Sequence, residues 1–506
     1  MRPLLRLLSI AATLAAGSSA LQAAVAVASP FTDHAVLQRG QPIPVWGTAD
    51  AGEKITITFD GQTKTVTAGD DKKWVIKLDT HAAGGPYDLT VAGTNTIKLT
   101  DILVGEVWVC SGQSNMEFVV KGSRNSAQEI ADAKFPKLRH FKVEKKTSDV
   151  PLTECKGTWT VCSPETVGGY TAVGYYFGRK LVQELDVPIG LLHTSWGGTP
   201  AEAWTGKPAL TGAATFSGVF TAWDKQMKGY PAAMATYKET LAKWETDAAA
   251  AKIAGKPAPN KPRPPQGQDS PNKPATLYNG MLTPLVPYGI KGAIWYQGES
   301  NAGRAKDYRE LMALLIGDWR QSFGQGDFPF YVVQLANYMK RSDQPTDTAW
   351  AALREAQYLI TTTMKNTGMS VTIDIGEGED IHPKNKQDVG LRLALIALAK
   401  DYGKQIEYSG PIYKSLAVDG ANAVVSFDHL GGGLSVTGDK LTGFAIAGED
   451  KKFVWADAKI VGDTVVLSAA GVTKPVAVHY AWGDNPECSL SNKAGLPAVP
   501  FRTDRP

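Results

Sequence analysis

An apolar run at residues 102–110 constrains the fold of this chain more than any other stretch. It ends abruptly in Ser-Gly-Gln-Ser-Asn at residues 111–115, which is typical of a buried strand followed by a tight turn. A glycine in such a turn lets the backbone bend sharply and leaves room for a substrate beside a displayed serine hydroxyl. Alternatively, Ser111 and Ser114 only cap the helix that follows. This stretch alone leaves both interpretations open.

From residue 102 to about residue 402, strand-like runs alternate with helical ones. Such alternation predicts an α/β layer in which helices cover a parallel sheet. The predicted strands are 102–110, 189–193, 292–296, 330–334 and 370–374, and the predicted helices are 171–185, 307–319, 350–361 and 389–400.

Short alternating strands separated by Gly, Asp and Asn turns occupy both ends of the chain. Residues 27–101 predict an N-terminal domain resembling a small β-sandwich, and residues 403–506 predict a second β-domain. The α/β domain between them, residues 102–402, is interrupted by an insertion at about 211–275. The insertion combines a helical stretch at 237–252 with a Pro-rich segment. We expect it to be a surface excursion, or alternatively a flap bordering the cleft.

Residues 1–26 have the pattern of an export signal. Positive charge near the start is followed by a short apolar stretch and then by small residues, with cleavage expected between Ala20 and Ala26. The apolar stretch is too short to span a bilayer, and no later run reaches about 18 apolar residues. We therefore expect an exported protein, periplasmic or secreted, without a membrane partner.

The charge and the cysteines of the chain indicate which partners and which disulfides to expect. The formal net charge is only +3 over 506 residues and no basic run stands out, so no nucleic-acid partner is expected. Export permits disulfides, and Cys155 and Cys162 flank a Gly-containing stretch that could let them either pair or stay free. Cys110, at the end of the apolar run, is expected to be a buried thiol rather than a nucleophile.

Polar or glycine-rich turns follow four of the five predicted strands. These turns contain Ser114, the pair Gly197-Gly198, the segment 297–301 and the segment 376–383. Ligands of parallel sheets bind at the carboxyl ends of strands, and acyl transfer at a serine needs a base and oxyanion donors there. Because all four turns fall on the same edge of the predicted sheet, we expect their side chains to meet.

Among seven histidines, only His382 lies in such a turn, where carboxylates and a proline flank it. His193 lies inside an apolar strand and is expected to be a core histidine. No two histidines have the spacing of metal ligands, so no metal site and no cofactor are expected.

Three separated blocks resemble one family of esterases. Residues 112–116 (Gly-Gln-Ser-Asn-Met), 295–301 (Trp-Tyr-Gln-Gly-Glu-Ser-Asn) and 380–383 (Asp-Ile-His-Pro) are similar to blocks of the sialate O-acetylesterase group. This group belongs to the SGNH hydrolase superfamily of carbohydrate esterases. The resemblance implies a three-layer, flavodoxin-like α/β domain with a parallel sheet, and the flanking β-domains suit larger members of the group.

The resemblance also implies a role for each matched residue. It implies a serine nucleophile, a histidine base and a carboxylate that orients the histidine, with Asp380 favoured over Glu379. A Ser–His dyad supported by a backbone carbonyl is a further alternative. The implied residues are Ser114, His382, Asp380 and Glu379 for catalysis, and the N–H groups of Ser114 and of Gly197 or Gly198 and the Gln297 amide for the oxyanion. Asn115, Glu299 and Arg354 are further candidates around the substrate, with a purely structural role as the alternative for Glu299 and Arg354.

The function implied is removal of O-acetyl groups from a sugar, an oligosaccharide or a polysaccharide, through an acyl-enzyme. Acetylated sialic acid and acetylated plant polysaccharides both suit the group. Two alternatives are a non-catalytic carbohydrate-binding protein on the same scaffold and a lipase-like esterase. The first alternative does not require Ser114 and His382 at strand ends, and the second requires cleavage of long acyl chains.

Overall fold

The computed structural model of the protein describes residues 24–504. The predicted export signal at residues 1–26 therefore lies almost entirely outside the described residues. Within the described range, no helix combines the length and the apolar character needed to cross a membrane.

Seven short strands come before the central sheet, and most of them pair in the antiparallel manner. One sheet has the order β1-β3-β6, while β5 and β7 flank β4. In β4 the buried residues Ile55, Ile57 and Phe59 alternate with more exposed ones, as a strand with one face in the core requires. The strands are β1 (Ala26–Val27), β2 (Val36–Gln38), β3 (Ile43–Thr48), β4 (Lys54–Phe59), β5 (Gln62–Thr67), β6 (Lys73–Leu78) and β7 (Gly84–Ala92).

A single long strand, β8 (Thr96–Gly112), joins this region to the central sheet. Its first half pairs antiparallel with β7, and its second half lies between the parallel strands of the central sheet. The predicted domain boundary between residues 101 and 102 therefore falls inside one continuous strand. Every residue of the apolar run 102–110 is buried.

The central sheet is mixed, with the order β10-β9-β11-β8-β12-β13-β14. All neighbours from β9 to β14 are parallel, so their carboxyl ends share one edge, and β10 alone on this path pairs antiparallel. The remaining strands are β9 (Phe135–Lys142), β10 (Trp159–Cys162), β11 (Ile189–Ser195), β12 (Gly292–Tyr296), β13 (Phe330–Val333) and β14 (Thr367–Ser370).

Helices cover both faces of this sheet. Successive residues of β8 point to opposite faces and pack against different helices. Val107 and Val109 pack into one core with α6 and α7, and Trp108 and Cys110 pack into another with α3 and α8. The helices are α1 (Ser114–Glu117), α2 (Ser126–Ala131), α3 (Ala172–Leu185), α4 (Lys207–Gly212), α5 (Val219–Ile253), α6 (Ala305–Phe323), α7 (Ala349–Thr363) and α8 (Lys386–Lys400). Short 3₁₀ turns lie at Val120–Gly122, Val167–Gly169, Ala201–Trp204, Thr283–Leu285 and Glu299–Arg304, and a π turn lies at Tyr278–Leu282.

The α/β class predicted from the alternating pattern is confirmed, with differences in particular elements. The fifth strand lies at Thr367–Ser370 rather than at 370–374, because Val371 and Ile373 pack into the core of the C-terminal region instead of pairing in the sheet. Strand β9 was not predicted because Arg139 and His140 break its apolar pattern. Both are buried, since Arg139 pairs with Asp101 and His140 stacks on a tyrosine.

The insertion is mostly one long helix, α5, which is 35 residues in length and begins well before the predicted start at residue 237. Only Trp223 and Met227 of this helix are buried. The Pro-rich segment that follows has no regular structure over residues 256–267.

The C-terminal region consists of short antiparallel strands in three small sheets around an apolar core of its own. The strands are β15 (Ile412–Asp419), β16 (Asn422–Asp428), β17 (Leu434–Val436), β18 (Phe444–Ala447), β19 (Val454–Trp455), β20 (Asp457–Val461), β21 (Thr464–Ser468), β22 (Ala477–Tyr480), β23 (Leu490–Asn492) and β24 (Phe501–Arg502).

Candidate active site

Ser114 lies at the carboxyl edge of the central sheet, two residues after β8 ends at Gly112. Gly112 has φ 136, and a Cβ on it would lie 2.1 Å from the carbonyl oxygen of Tyr296, so only glycine fits this close approach to β12. The turn makes Ser114 the first residue of α1, where its backbone N–H has no partner within the helix. Ser111 is fully buried and is not displayed.

His382 contacts Ser114 from the turn that precedes α8. Its Nε2 lies 2.8 Å from Ser114 Oγ. The His382 side chain is 37% exposed, so the pair is open to solvent and to a substrate. Burial of the rest of the ring, together with the charge of Lys386, lowers the pKa of His382, while Asp380 opposes that shift. The imidazole is therefore neutral at neutral pH and can accept the hydroxyl proton.

The two carboxylates before His382 differ in their relation to the imidazole. Asp380 Oδ1 accepts a hydrogen bond from the backbone N–H of His382 at 2.9 Å and lies 3.8 Å from Nδ1. That second distance is too long for a hydrogen bond but within the range of an ion pair. Glu379 is exposed, and among the described residues no hydrogen bond or ion pair joins it to His382. Asp380 therefore faces the imidazole, and Glu379 does not contact it.

Gly197 and Gly198 follow β11, and Gly197 lies beside the serine. A Cβ on Gly197 would be 3.2 Å from that of Ser114, whereas one on Gly198 would meet nothing within 4 Å. The Gly197 N–H donates to Glu117 Oε2 at 2.7 Å, and Glu117 Oε1 pairs with Lys145 at 2.5 Å. The glycine turn thus already binds an anionic oxygen next to Ser114.

Gln297 is fully buried and uses its amide elsewhere. Its Nε2 donates to Asn301 Oδ1 at 2.7 Å and to the carbonyl of Thr199 at 3.2 Å, and its Oε1 accepts from the Tyr308 hydroxyl at 2.8 Å. Since both amide hydrogens have acceptors, this geometry contradicts the expected role of Gln297 as an oxyanion donor. The side chain instead ties the turn after β12 to the turn after β11.

Asn115 and Glu299 form a buried bridge rather than a surface for substrate. Asn115 is 1% exposed, and its Nδ2 donates to Glu299 Oε1 at 2.6 Å and to the carbonyl of Ile381 at 3.0 Å. Its Oδ1 accepts from Lys386 Nζ at 2.6 Å. With all its donors and its acceptor engaged inside the protein, Asn115 is not the substrate contact that the sequence led us to expect.

Lys386 is the site residue that sequence reasoning missed. It is fully buried, and this burial lowers the pKa of its ammonium group to about 7. It is the first residue of α8, after an N-cap at Asn385. The signal that could have revealed it is a lysine in the first turn of a largely apolar helix, where the helix dipole disfavours a cation.

Arg354 lies behind the site and does not close it. It is 1% exposed, and its guanidinium donates to the carbonyls of Leu335, Gly483 and Asp484 at 3.0, 2.7 and 2.5 Å. Burial lowers the pKa of Arg354 to about 10. The expected substrate role is therefore wrong, and Arg354 instead attaches α7 to the C-terminal region.

The remaining chemically reactive side chains are buried or unpaired. All four cysteines are free thiols, so Cys155 and Cys162 do not form the disulfide that the sequence left open. Cys110 is buried, and burial raises its pKa well above the ordinary value. His193 is a core histidine, as expected from its strand. Within residues 24–504, no three His, Cys, Asp or Glu side chains are grouped to hold a metal ion.

Several known proteins are similar to this chain along nearly its whole length. The sialate O-acetylesterase of Mus musculus is 31% identical over 94% of this chain and 93% of its own, and that of Homo sapiens is 28% identical over 90% and 88%. The crystal structure of a carbohydrate acetylesterase from Xanthomonas citri has a TM-score of 0.81 and 38% identity, covering 95% of this chain and 99% of that one. A family model described as carbohydrate esterase, sialic acid-specific acetylesterase, matches residues 270–399. The resemblance of the three sequence blocks is thereby confirmed, and the chain belongs to the sialate O-acetylesterase family.

Proposed function

We propose that this protein hydrolyses O-acetyl esters of carbohydrates, with Ser114 as nucleophile and His382 as general base. The observation that carries the proposal is the 2.8 Å contact between Ser114 Oγ and His382 Nε2 at the open edge of the sheet. Transfer of the hydroxyl proton to an imidazole requires a hydrogen bond of this length. Relatives named sialate O-acetylesterase and carbohydrate acetylesterase support an acetylated sugar as the substrate class.

In the first half of the reaction, Ser114 Oγ attacks the acetyl carbonyl carbon and its proton passes to His382 Nε2. The carbonyl oxygen becomes an oxyanion, which the backbone N–H groups of Ser114 and of the Gly197-Gly198 turn stabilise. For Gly197 to donate, the Glu117 carboxylate has to leave its N–H. The intermediate then collapses, the sugar oxygen leaves with the proton from Nε2, and the acetyl group stays on Oγ.

In the second half, water attacks the acetyl carbonyl carbon and gives a proton to His382 Nε2. The same donors stabilise the second oxyanion. When the bond to Ser114 Oγ breaks, Oγ takes the proton back from Nε2 and acetic acid leaves, which ionises to acetate in solution. Each half moves one proton onto Nε2 and one off it, so the site returns to its starting state.

We assign Asp380 an electrostatic role rather than that of a hydrogen-bonded triad acid. Its carboxylate, 3.8 Å from Nδ1, favours the imidazolium that forms in each half-reaction. Its hydrogen bond to the His382 backbone also holds the turn in place. Glu379 is exposed and is assigned no step.

The proposal extends to the fold family, the domains and the cellular location. The order of the parallel strands, with serine, glycine and histidine turns at their ends, supports an SGNH-hydrolase-like domain. The antiparallel strands on either side support β-sandwich-like flanking domains, with boundaries near residues 101 and 403. The pattern of residues 1–26 supports export to the periplasm or the medium. Acetylated sialic acid and acetylated xylan or xyloglucan fragments are the two substrate groups to compare.

Release of acetate from acetylated sialosides, xylo-oligosaccharides and xyloglucan fragments tests this function. We expect acetate from at least one of these sugars, and cleavage of p-nitrophenyl acetate in strong preference to p-nitrophenyl octanoate. Equal or faster cleavage of the octanoate ester would favour a lipase-like esterase. Sugar binding without any release of acetate would favour the non-catalytic alternative.

A further inference from the structure

The Lys386 ammonium is linked to the segments that carry both reacting residues through one side chain, that of Asn115. Asn115 follows Ser114 in the chain, and its Nδ2 donates to the carbonyl of Ile381, the residue before His382. Its Oδ1 accepts from Lys386 Nζ at 2.6 Å. The Asn115 amide therefore links the backbone next to the nucleophile to the backbone next to the base, and Lys386 fixes the orientation of that amide.

The position of Lys386 is unfavourable for a lysine in two ways. Its ammonium is fully buried, which removes its hydration, and it lies at the N-terminus of α8, where the helix dipole is positive. Beyond Asn115, it lies over the rings of Phe118 and Tyr296, at 4.9 and 5.4 Å from their centres. A residue that breaks local rules of stability in this way is most often explained by function.

Lys386 and His382 face different sets of charged groups. Lys386 faces the carboxylates of Glu299, Asp380 and Glu377, all of which favour its charged form against the effect of burial. Burial raises the pKa of Glu299, whose Oε2 has no hydrogen-bond partner among the described residues. His382 faces Asp380, which favours the imidazolium, and Lys386, which disfavours it.

We infer that Lys386 is a positioning residue, which holds Ser114 and His382 in register through the Asn115 amide and, when protonated, places a buried positive charge near the base. The inference rests on the proposed serine mechanism. Misplacing a reacting group by about 1 Å costs on the order of a hundredfold in rate, so the bridge affects turnover more than binding. The positive charge disfavours protonation of His382 and so extends activity to lower pH.

Lys386→Met removes the donor and the charge while keeping an apolar side chain of similar length. We expect kcat on p-nitrophenyl acetate to fall by roughly tenfold to a hundredfold, with KM changed by less than about threefold. We also expect the acid limb of the pH profile to move to higher pH by about half a unit or more, because loss of a nearby positive charge raises the pKa of His382.

Lys400→Met is the matched control. Lys400 lies at the other end of α8, is exposed, and donates to the carbonyl of Thr367 at 2.7 Å. The same substitution there removes a lysine from the same helix without touching Asn115. We expect wild-type kcat and an unshifted acid limb, with at most a lower melting temperature.

Asn115→Ala separates the positioning role from the charge. It removes the bridge but leaves the Lys386 ammonium, so we expect a similar loss of kcat with a smaller movement of the acid limb than in Lys386→Met. This variant also tests the bridge by itself if Lys386→Met does not yield folded protein.

Wild-type kcat and an unmoved acid limb in folded Lys386→Met would overturn the inference, as would wild-type kcat in Asn115→Ala. Failure of the serine mechanism gives a different result, because Ser114→Ala would then retain activity whatever the Lys386 variants do. Rescue of kcat by Lys386→Arg, which keeps a cation donor, would support the inference further.

Discussion

Two serine–histidine pairs lie close together at the carboxyl edge of the central sheet. His382 Nε2 is 2.8 Å from Ser114 Oγ, and His193 Nε2 is 2.6 Å from Ser195 Oγ. The two sites are neighbours, since Ser195 is the register partner of Gly112 on the adjacent strand. Judged by the hydrogen bond alone, the two pairs are equally suited to acyl transfer.

The two pairs differ in their exposure to solvent and in the surroundings of their histidines. Ser195 and His193 are 5% and 2% exposed, whereas the His382 side chain is 37% exposed. Burial, with help from neighbouring positive charges, holds the pKa of His193 well below its ordinary value, and its Nδ1 has no hydrogen-bond partner among the described residues. An imidazole that resists protonation cannot hold the serine proton during acyl transfer.

A serine–histidine hydrogen bond is therefore only one of the features on which the proposed esterase site rests. The Ser114 pair adds access for a substrate, a backbone N–H at the first position of α1, and a glycine turn that binds an anionic oxygen. The Ser195 pair lies within a strand and instead fills a polar gap in the interior.

Replacing each serine by alanine gives the largest contrast. We expect Ser114→Ala to lower kcat for acetate release by at least about 10⁴-fold, since the nucleophile is lost. We expect Ser195→Ala to change kcat by less than about threefold, because Ser195 is buried. Steady-state rates with an acetylated sugar measure both. A comparable loss of kcat in folded Ser195→Ala would remove the distinction.

The pH dependence of activity distinguishes the two histidines. Because the folded-state pKa of His382 is lowered, kcat/KM should rise as pH increases through a midpoint below the ordinary value of about 6.5. His193→Gln should leave this midpoint unchanged. A midpoint above pH 7, or one that moves in His193→Gln, would assign the titration to another group.

Stability should depend on pH through the buried pair. The unfolded chain protonates His193 below about pH 6.5 and the folded chain does not, so stability is lost as pH falls from there toward the lowered folded pKa. The loss is up to about 1.4 kcal/mol per pH unit for one such group. The melting temperature of His193→Gln should therefore decline less steeply between pH 7 and pH 5 than that of the wild type. Parallel declines would contradict this account.

Substitutions of Asp380 and Glu379 should have the smallest effects on activity. Asp380→Asn keeps an acceptor for the His382 backbone but removes a charge that raises the pKa of that histidine, so the acid limb should move to lower pH. We expect kcat to fall by less than about tenfold, against about 10⁴-fold for a triad aspartate. Glu379→Gln should match the wild type in both measurements. A loss of kcat near 10⁴-fold in either variant would identify the substituted carboxylate as a triad acid.

Much of this site could be predicted from the order of elements along the chain. The turn that carries Ser114 follows the apolar strand ending at Gly112. The polar turn that carries His382 follows another predicted strand of the same parallel sheet. Parallel strands deliver their carboxyl ends to a common edge, so residues far apart in sequence were expected to meet there. The structure brings Ser114, Gly197 and His382 together at that edge.

The partners of buried polar side chains could not be predicted in the same way. Gln297, Asn115 and Arg354 have the residue types of contacts to a substrate or an oxyanion, but each donates to acceptors inside the protein that distant segments supply. Which donors are used up inside depends on tertiary packing that leaves no local pattern in the sequence. For the same reason, Lys386 was missed, because an ammonium in a helix appears solvated until the packing around it is known.

The central claim is that Ser114, and not Ser195, carries the acyl group, and labelling with a fluorophosphonate tests it most directly. Such reagents form a stable bond to a serine oxygen activated by a base, and peptide mass spectrometry locates the adduct. We predict a single adduct on Ser114, formed as activity is lost and strongly slowed in His382→Ala. An adduct on Ser195, or full loss of activity with Ser114 unmodified, would contradict the account.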